Sequence, residues 1–174
     1  MRKIEKRKFL NNHYDDTLEQ LMEIMDALVQ DVEKKQALNG HEKVKYLVFH
    51  RLLSSGYTGS HEISMAMSSD ALYLDEKMSC VYWKPEIFYC GLENDMKQVR
   101  QILSKKYLRI EEYELLRIEQ CLLSYDWELL CEFLSWAAAR LIERMKASSL
   151  ELEDEIQVLC GCYMDRLNVV YQEK

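Results

Sequence analysis

From Ile110 to Lys146 the chain contains no glycine and no proline, and its apolar side chains recur at alternating steps of three and four. Tyr113, Leu116, Gln120, Leu123, Trp127, Leu130, Leu134, Ala137 and Leu141 carry that spacing, which keeps side chains on one helical face; Gln120 is its one polar member. A second stripe, Leu115, Ile118, Leu122, Tyr125, Leu129, Phe133 and Trp136, runs beside the first and makes the apolar arc wider than a single contact requires. The spacing predicts one long helix packed on two sides, with Glu114, Arg117, Glu128, Glu132 and Glu143 along a narrow wet edge. A bend is expected at Ser124 to Asp126. The rest of the chain has to be arranged around such a rod.

A chain of 174 residues reads as one domain, long enough to bury a core without metal or disulfides. One proline and five glycines leave few breakers, which favours long helices over a many-turned β fold. Residues 12–38 predict a first helix, with Leu18, Leu21, Met25, Leu28 and Val32 in a heptad seam widened by Met22, Ile24 and Val29, and with Asn39-Gly40 ending it. Residues 41–55 read as a second helix, Val44, Leu47, Val48 and Leu52 inward. Between residues 61 and 75, Ile63, Met65 and Met67 alternate with polar or small residues, and Leu72 and Leu74 alternate again, a small β-hairpin. The helical alternative there uses Ile63, Met67, Ala71, Leu74 and Met78. Pro85 opens a further helix reaching Ser104 and weakened at Gly91. Ser148 with Glu151 forms a capping-box pattern that opens a last helix, striped by Leu152, Ile156, Leu159, Tyr163, Leu167 and Val170. The expected fold is mainly α: a single-domain bundle of about five helices around residues 110–146, with a hairpin at 61–75 and a basic N-terminal segment at 1–11.

The formal charge of −7 argues against a general nucleic-acid binder, because phosphate contacts need clustered Lys and Arg. The exception is the N-terminus, where Arg2, Lys3, Lys6, Arg7 and Lys8 stand against Glu5, read here as the solvated start of a helix. No apolar run approaches the roughly 18 to 20 residues that span a bilayer, and no apolar stretch follows the basic start as in a signal peptide. The expected location is the cytoplasm, where the six cysteines would be reduced thiols.

Motifs for chemistry are scarce. On the expected last helix, Cys160 and Cys162 point to nearly opposite sides, and Cys121 and Cys131 stand roughly 15 Å apart along theirs, so neither pair shares a metal. Cys80 and Cys90 straddle a break and read as structural thiols. His13, His41, His50 and His61 fit no Glu-x-x-His or His-Glu-x-x-His pattern, and there is no phosphate-binding glycine loop or nucleophile elbow. The acidic runs Glu111-Glu112 and Glu153-Asp154-Glu155 suit helix N-termini. No catalytic residue, metal or cofactor is therefore assigned.

The candidate site is aromatic. Tyr82, Trp83, Phe88 and Tyr89 crowd around Pro85; such residues either close a core or anchor a partner, and Tyr57, His61 and Tyr73 join them as candidates. The expected function is a non-catalytic protein-interaction or regulatory role, with residues 61–89 presenting the surface. The alternative is a small-ligand binder or enzyme whose pocket gathers dispersed residues such as His50, Tyr57, His61, Tyr73 and Trp83. The partner is another protein or a second copy of the chain, because Met22, Ile24 and Val29 form a spare apolar strip that needs cover.

Overall fold

The computed structural model describes residues 2–38 and 42–173, and it overturns the expected helical bundle: a five-stranded sheet lies under the helices. In chain order the elements are α1 (Arg2–Asn12), α2 (Tyr14–Ala37), β1 (Val44–Arg51), α3 (Leu53–Thr58), β2 (Ile63–Ser68), a 3₁₀ turn at Leu72–Leu74, β3 (Ser79–Trp83), α4 (Glu86–Tyr89), α5 (Leu92–Ser104), α6 (Glu112–Lys146), β4 (Leu152–Cys162) and β5 (Leu167–Gln172). The strand order is β3-β2-β1-β4-β5. The β1–β4 pair is parallel, and the other three pairs are antiparallel.

The long helix and the first helix stand as expected. α6 runs unbroken through Ser124–Asp126, and its N-terminus is closed by reciprocal bonds between Glu111 and Glu114, a capping box. The second and last expected helices are strands instead. Val44, Leu47 and Val48 fit a helical period, but Tyr46–Phe49 is also a continuous apolar run, the pattern of a central strand buried on both faces. A run this short does not distinguish the two by period, so pairing decides. β1 is the middle strand, with Phe49 between Met65 and Cys160 and His50 between Ser64 and Gly161. In β4 the operative pattern is Ile156, Val158 and Cys160, a period of two that the helical stripe overlaid. Gly161 is required where the β4–β5 hairpin closes, since a Cβ there would run into the Arg166 carbonyl oxygen.

The expected hairpin at 61–75 is half right. β2 is one of its strands, but its partners are β1 and β3, and Leu72–Leu74 forms a turn. Gly91, at φ 82, splits the expected Pro85–Ser104 helix into α4 and α5. The expected stop at Asn39-Gly40 lies outside the described residues.

α2 and the C-terminal half of α6 cover one face of the sheet. Leu21, Met25, Leu28 and Val32 from α2, with Leu130, Leu134 and Leu141 from α6, pack on Leu47, Phe49, Met65, Met67 and Val158. Val29 belongs to this core and Met22 and Ile24 pack against it, so the strip that suggested self-association is largely used within the chain. At 35 residues, or roughly 52 Å, α6 is about twice the length of an eight-residue strand. Its N-terminal half carries on past the main core and pairs with α5 around a second, smaller cluster of Leu92, Met96, Leu115 and Leu123. This helical arm and the near end of the sheet frame the candidate site.

Candidate functional site

At the end of the sheet where β1 and β4 finish, the chain leaving Arg51 turns through α3 and returns into β2 past His61. Ser55 pins this excursion: its Oγ lies 2.9 Å from the Leu52 carbonyl and 2.7 Å from that of Glu62, and its own carbonyl accepts the His61 N–H at 3.3 Å. His61 is held at φ 54, in the left-handed region that is uncommon outside glycine but that histidine adopts more readily than most residues. Its ring stacks on Tyr89 with centroids 4.9 Å apart and planes at 20°.

That stacked pair is one wall of an open cleft of about 480 Å³. Leu92 and Met96 of α5 supply an apolar wall, while Glu93, Lys97, Arg100 and Glu119 make it polar and of mixed charge. Glu93 and Lys97 are paired at 2.7 Å, and the Lys97 ammonium holds the Glu93 carboxyl below its ordinary value. Burial pushes the His61 imidazole down, against the opposing field of Glu119, so the ring is neutral at neutral pH. Its Nδ1 is buried with no hydrogen-bond partner among the described residues, as is Gln120 Nε2 on the adjoining turn of α6.

Beneath Tyr89 lies a buried polar seam. Burial raises the Tyr89 hydroxyl to about 12, and the groups acting on it include Arg51, Asp126, Cys131 and Cys160. Asp126, 1% exposed, accepts a 2.8 Å bond from Lys6 Nζ of α1. Arg7, one turn-neighbour away, reaches Glu132 at 2.6 Å. Two of the N-terminal cations are thus tied to α6, and the expectation of a solvated basic start is corrected at Lys6, which is buried, while Arg7 remains exposed. Cys160 and Cys162 stand two apart on a strand, so they share a face; the opposite-sides reading was tied to a helix that does not form. Among the described residues no group of three or more His, Cys, Asp or Glu side chains is placed to hold a metal ion. No helix among them is long and apolar enough to cross a membrane.

No family model, curated protein or solved structure matches this chain. The site's meaning therefore rests on its geometry.

The seven sequence candidates fall into four places. His61 and Tyr89 meet in the cleft. Trp83 and Phe88, 2% and 0% exposed, are core and pack around Phe133. Tyr57 and Tyr82 are exposed on α3 and β3. Tyr73 covers the other face of the sheet, its ring 5.4 Å from His50 and 5.8 Å from Tyr163, with its hydroxyl accepting the Met164 N–H at 3.2 Å. His50 is sealed there, neither ring nitrogen having a hydrogen-bond partner among the described residues, and burial lowers it to about 4. Sequence reading missed the roles of Lys6, Asp126 and Glu119. Asp126 did leave a signal: Leu122, Leu129 and Leu130, at i−4, i+3 and i+4, surround it with apolar neighbours.

Proposed function

We propose that this is a non-catalytic interaction protein that binds a segment of a partner protein at the tip of the α5–α6 arm. One observation carries the reading. Ile102, Tyr107, Leu108, Tyr113 and Leu116, from the end of α5, the connecting loop and the first turns of α6, are all large, apolar and exposed. Exposed apolar clusters on soluble domains mark interfaces, and aromatic anchors dominate their energetics. Between the two helices a groove of about 250 Å³, floored by Leu103, Ile110 and Ile118 and rimmed by Arg109 and Glu114, is shaped to take an apolar side chain of an amphipathic partner helix. A cytoplasmic setting, in which thiols stay reduced, belongs to this reading. The acidic balance of the chain weighs against nucleic acid as the partner.

The test places a photo-crosslinking residue at Tyr113 in cells, with exposed Glu23 of α2 as the control position. The protein captured specifically from position 113 is then purified and its affinity measured. Leu108→Glu with Tyr113→Glu should weaken that complex at least about tenfold without moving the melting temperature. Equal capture from both positions, or an affinity indifferent to the double change, refutes the reading. If the captured protein is the chain itself, the partner is a second copy, and light scattering should give twice the 20.8 kDa mass.

A second reading has its own observation, the unpartnered His61 Nδ1 in a cleft of drug-like size. It makes the cleft a small-ligand site. Under it, His61→Ala and Glu119→Ala abolish a ligand-induced rise in melting temperature and leave binding at the arm tip unchanged.

A further inference from the structure

We propose that Tyr73 and Tyr163 form a lid over His50 that opens when the imidazole takes up a proton, so that mild acid uncovers this part of the sheet face opposite the helices. His50 lies on the central strand, in register with Ser64 of β2 and Gly161 of β4, and alternation turns it away from the core face that carries Leu47 and Phe49. Two rings from surface turns lie against it. Tyr73, from the 3₁₀ turn after β2, stands 5.4 Å from the imidazole, and Tyr163, from the β4–β5 turn, meets it edge-on at 5.4 Å and 84°. The tyrosines also touch each other edge-on at 5.8 Å, and the Tyr73 hydroxyl accepts the Met164 N–H at 3.2 Å, which ties one turn to the other. Beside each tyrosine a non-glycine residue sits in the left-handed region, Leu72 at φ 50 and Met164 at φ 54. The closed lid is therefore held by tertiary contact against a local backbone preference.

A neutral imidazole leaves one N–H without an acceptor in this enclosure; an imidazolium leaves two, together with a charge. No carboxylate answers that charge. Ser64 and Gly161 flank the ring on the sheet, the two phenols lie over it, and Asp165 and Cys162 of the β4–β5 turn act on the Tyr73 hydroxyl, whereas burial alone acts on His50. Asp75, which shapes the turn carrying Tyr73, accepts the Ser69 and Lys77 N–H groups. Water is then what can satisfy the protonated ring, and moving two side chains on surface turns admits it with less disruption than parting β1 from β2 and β4. Tyr73 gives up its bond to Met164, the rings swing outward, and both imidazole N–H groups reach solvent. Burial holds the enclosed imidazole at about 4, against 6.5 in water, so the open state takes the proton first and gains as pH falls from 6.5 toward 4. The lid lies on the face opposite the cleft, and its opening does not depend on what the cleft or the arm tip binds.

The test titrates the full chain, labelled with carbon-13 on its tyrosine rings and methionine methyl groups, from pH 7 to 4 by nuclear magnetic resonance. The Tyr73 and Tyr163 ring signals should move together in one transition with a midpoint between 4 and 6.5, while the methyl signals of core Met25 and Met67 stay in place. Tyr73→Phe keeps the ring but loses the bond to Met164, and should raise the midpoint by about half a pH unit or more. His50→Phe should abolish the transition. Tyrosine signals that hold until the core methionines collapse with them, a midpoint indifferent to Tyr73→Phe, or a transition that survives in His50→Phe would each overturn the proposal.

Discussion

Lys6 and Asp126 are separated by 120 positions and meet at 2.8 Å inside the protein. A buried pair of this kind contributes little net stability over apolar residues of similar shape, but removing one partner strands a charge in a low-dielectric site. Lys6→Met should therefore lower stability by about 3 to 5 kcal/mol, and adding Asp126→Leu should recover most of it; urea denaturation reads both. A single variant as stable as the parent would show that the pair is not needed to neutralise Asp126. His50 gives a pH-dependent counterpart. In the unfolded chain its imidazole takes a proton near 6.5, whereas in the fold burial lowers that to about 4. The unfolded state thus binds the proton first, so the stability from keeping His50 neutral is full above pH 6.5 and is lost as pH falls toward 4. The loss is about 3 kcal/mol and should vanish in His50→Phe when denaturation midpoints are compared across that window. Trp83 carries no charge and is held by packing. Its truncation to Ala should lower stability by about 3 to 5 kcal/mol through the cavity left beside Phe133, and an unchanged melting temperature would contradict its place in the core.

α6 is one element with two environments. From Leu129 to Met145 it lies on the sheet beside α2 within the main core, whereas from Leu115 to Leu123 it packs with α5 around a smaller cluster of four buried residues. Local opening is governed by how much apolar contact secures each segment. Hydrogen exchange should accordingly be faster in α5 and the first turns of α6 than in the half of α6 after Leu129 or in β1. Uniform protection along α6 would mean that the arm is not a separate cooperative unit. The same division places the exposed apolar tip on the less secured half, where side-chain rearrangement on binding disturbs the main core least.

On the scale of the molecule, the central β1–β4 pairing joins the two halves of the chain: Phe49 opposes Cys160, with β2, β3 and all of α4 to α6 between them. Closing so long a loop precedes any gain from the pairing, and such topologies fold slowly. Refolding followed by tryptophan fluorescence should be in the millisecond-to-second range. Complete recovery within microseconds would be at odds with this sheet.

The sequence by itself determined α2 and α6 nearly to their ends, and the C-terminal end of α5, because a helix bonds within its own segment and a long stripe has one reading. It also singled out His61 and Tyr89, since a histidine and a tyrosine beside a loop are conspicuous as residue types. Only tertiary structure decided the strands. Val44, Leu47 and Val48 serve a helix or a strand equally well until Met67 and Val158 arrive on either side of Leu47. For the same reason no local pattern revealed that Lys6 would pair with Asp126, or that Tyr73 would cover His50 on the face opposite the cleft. Each of these contacts depends on how segments far apart in the chain pack together, which no local pattern sets.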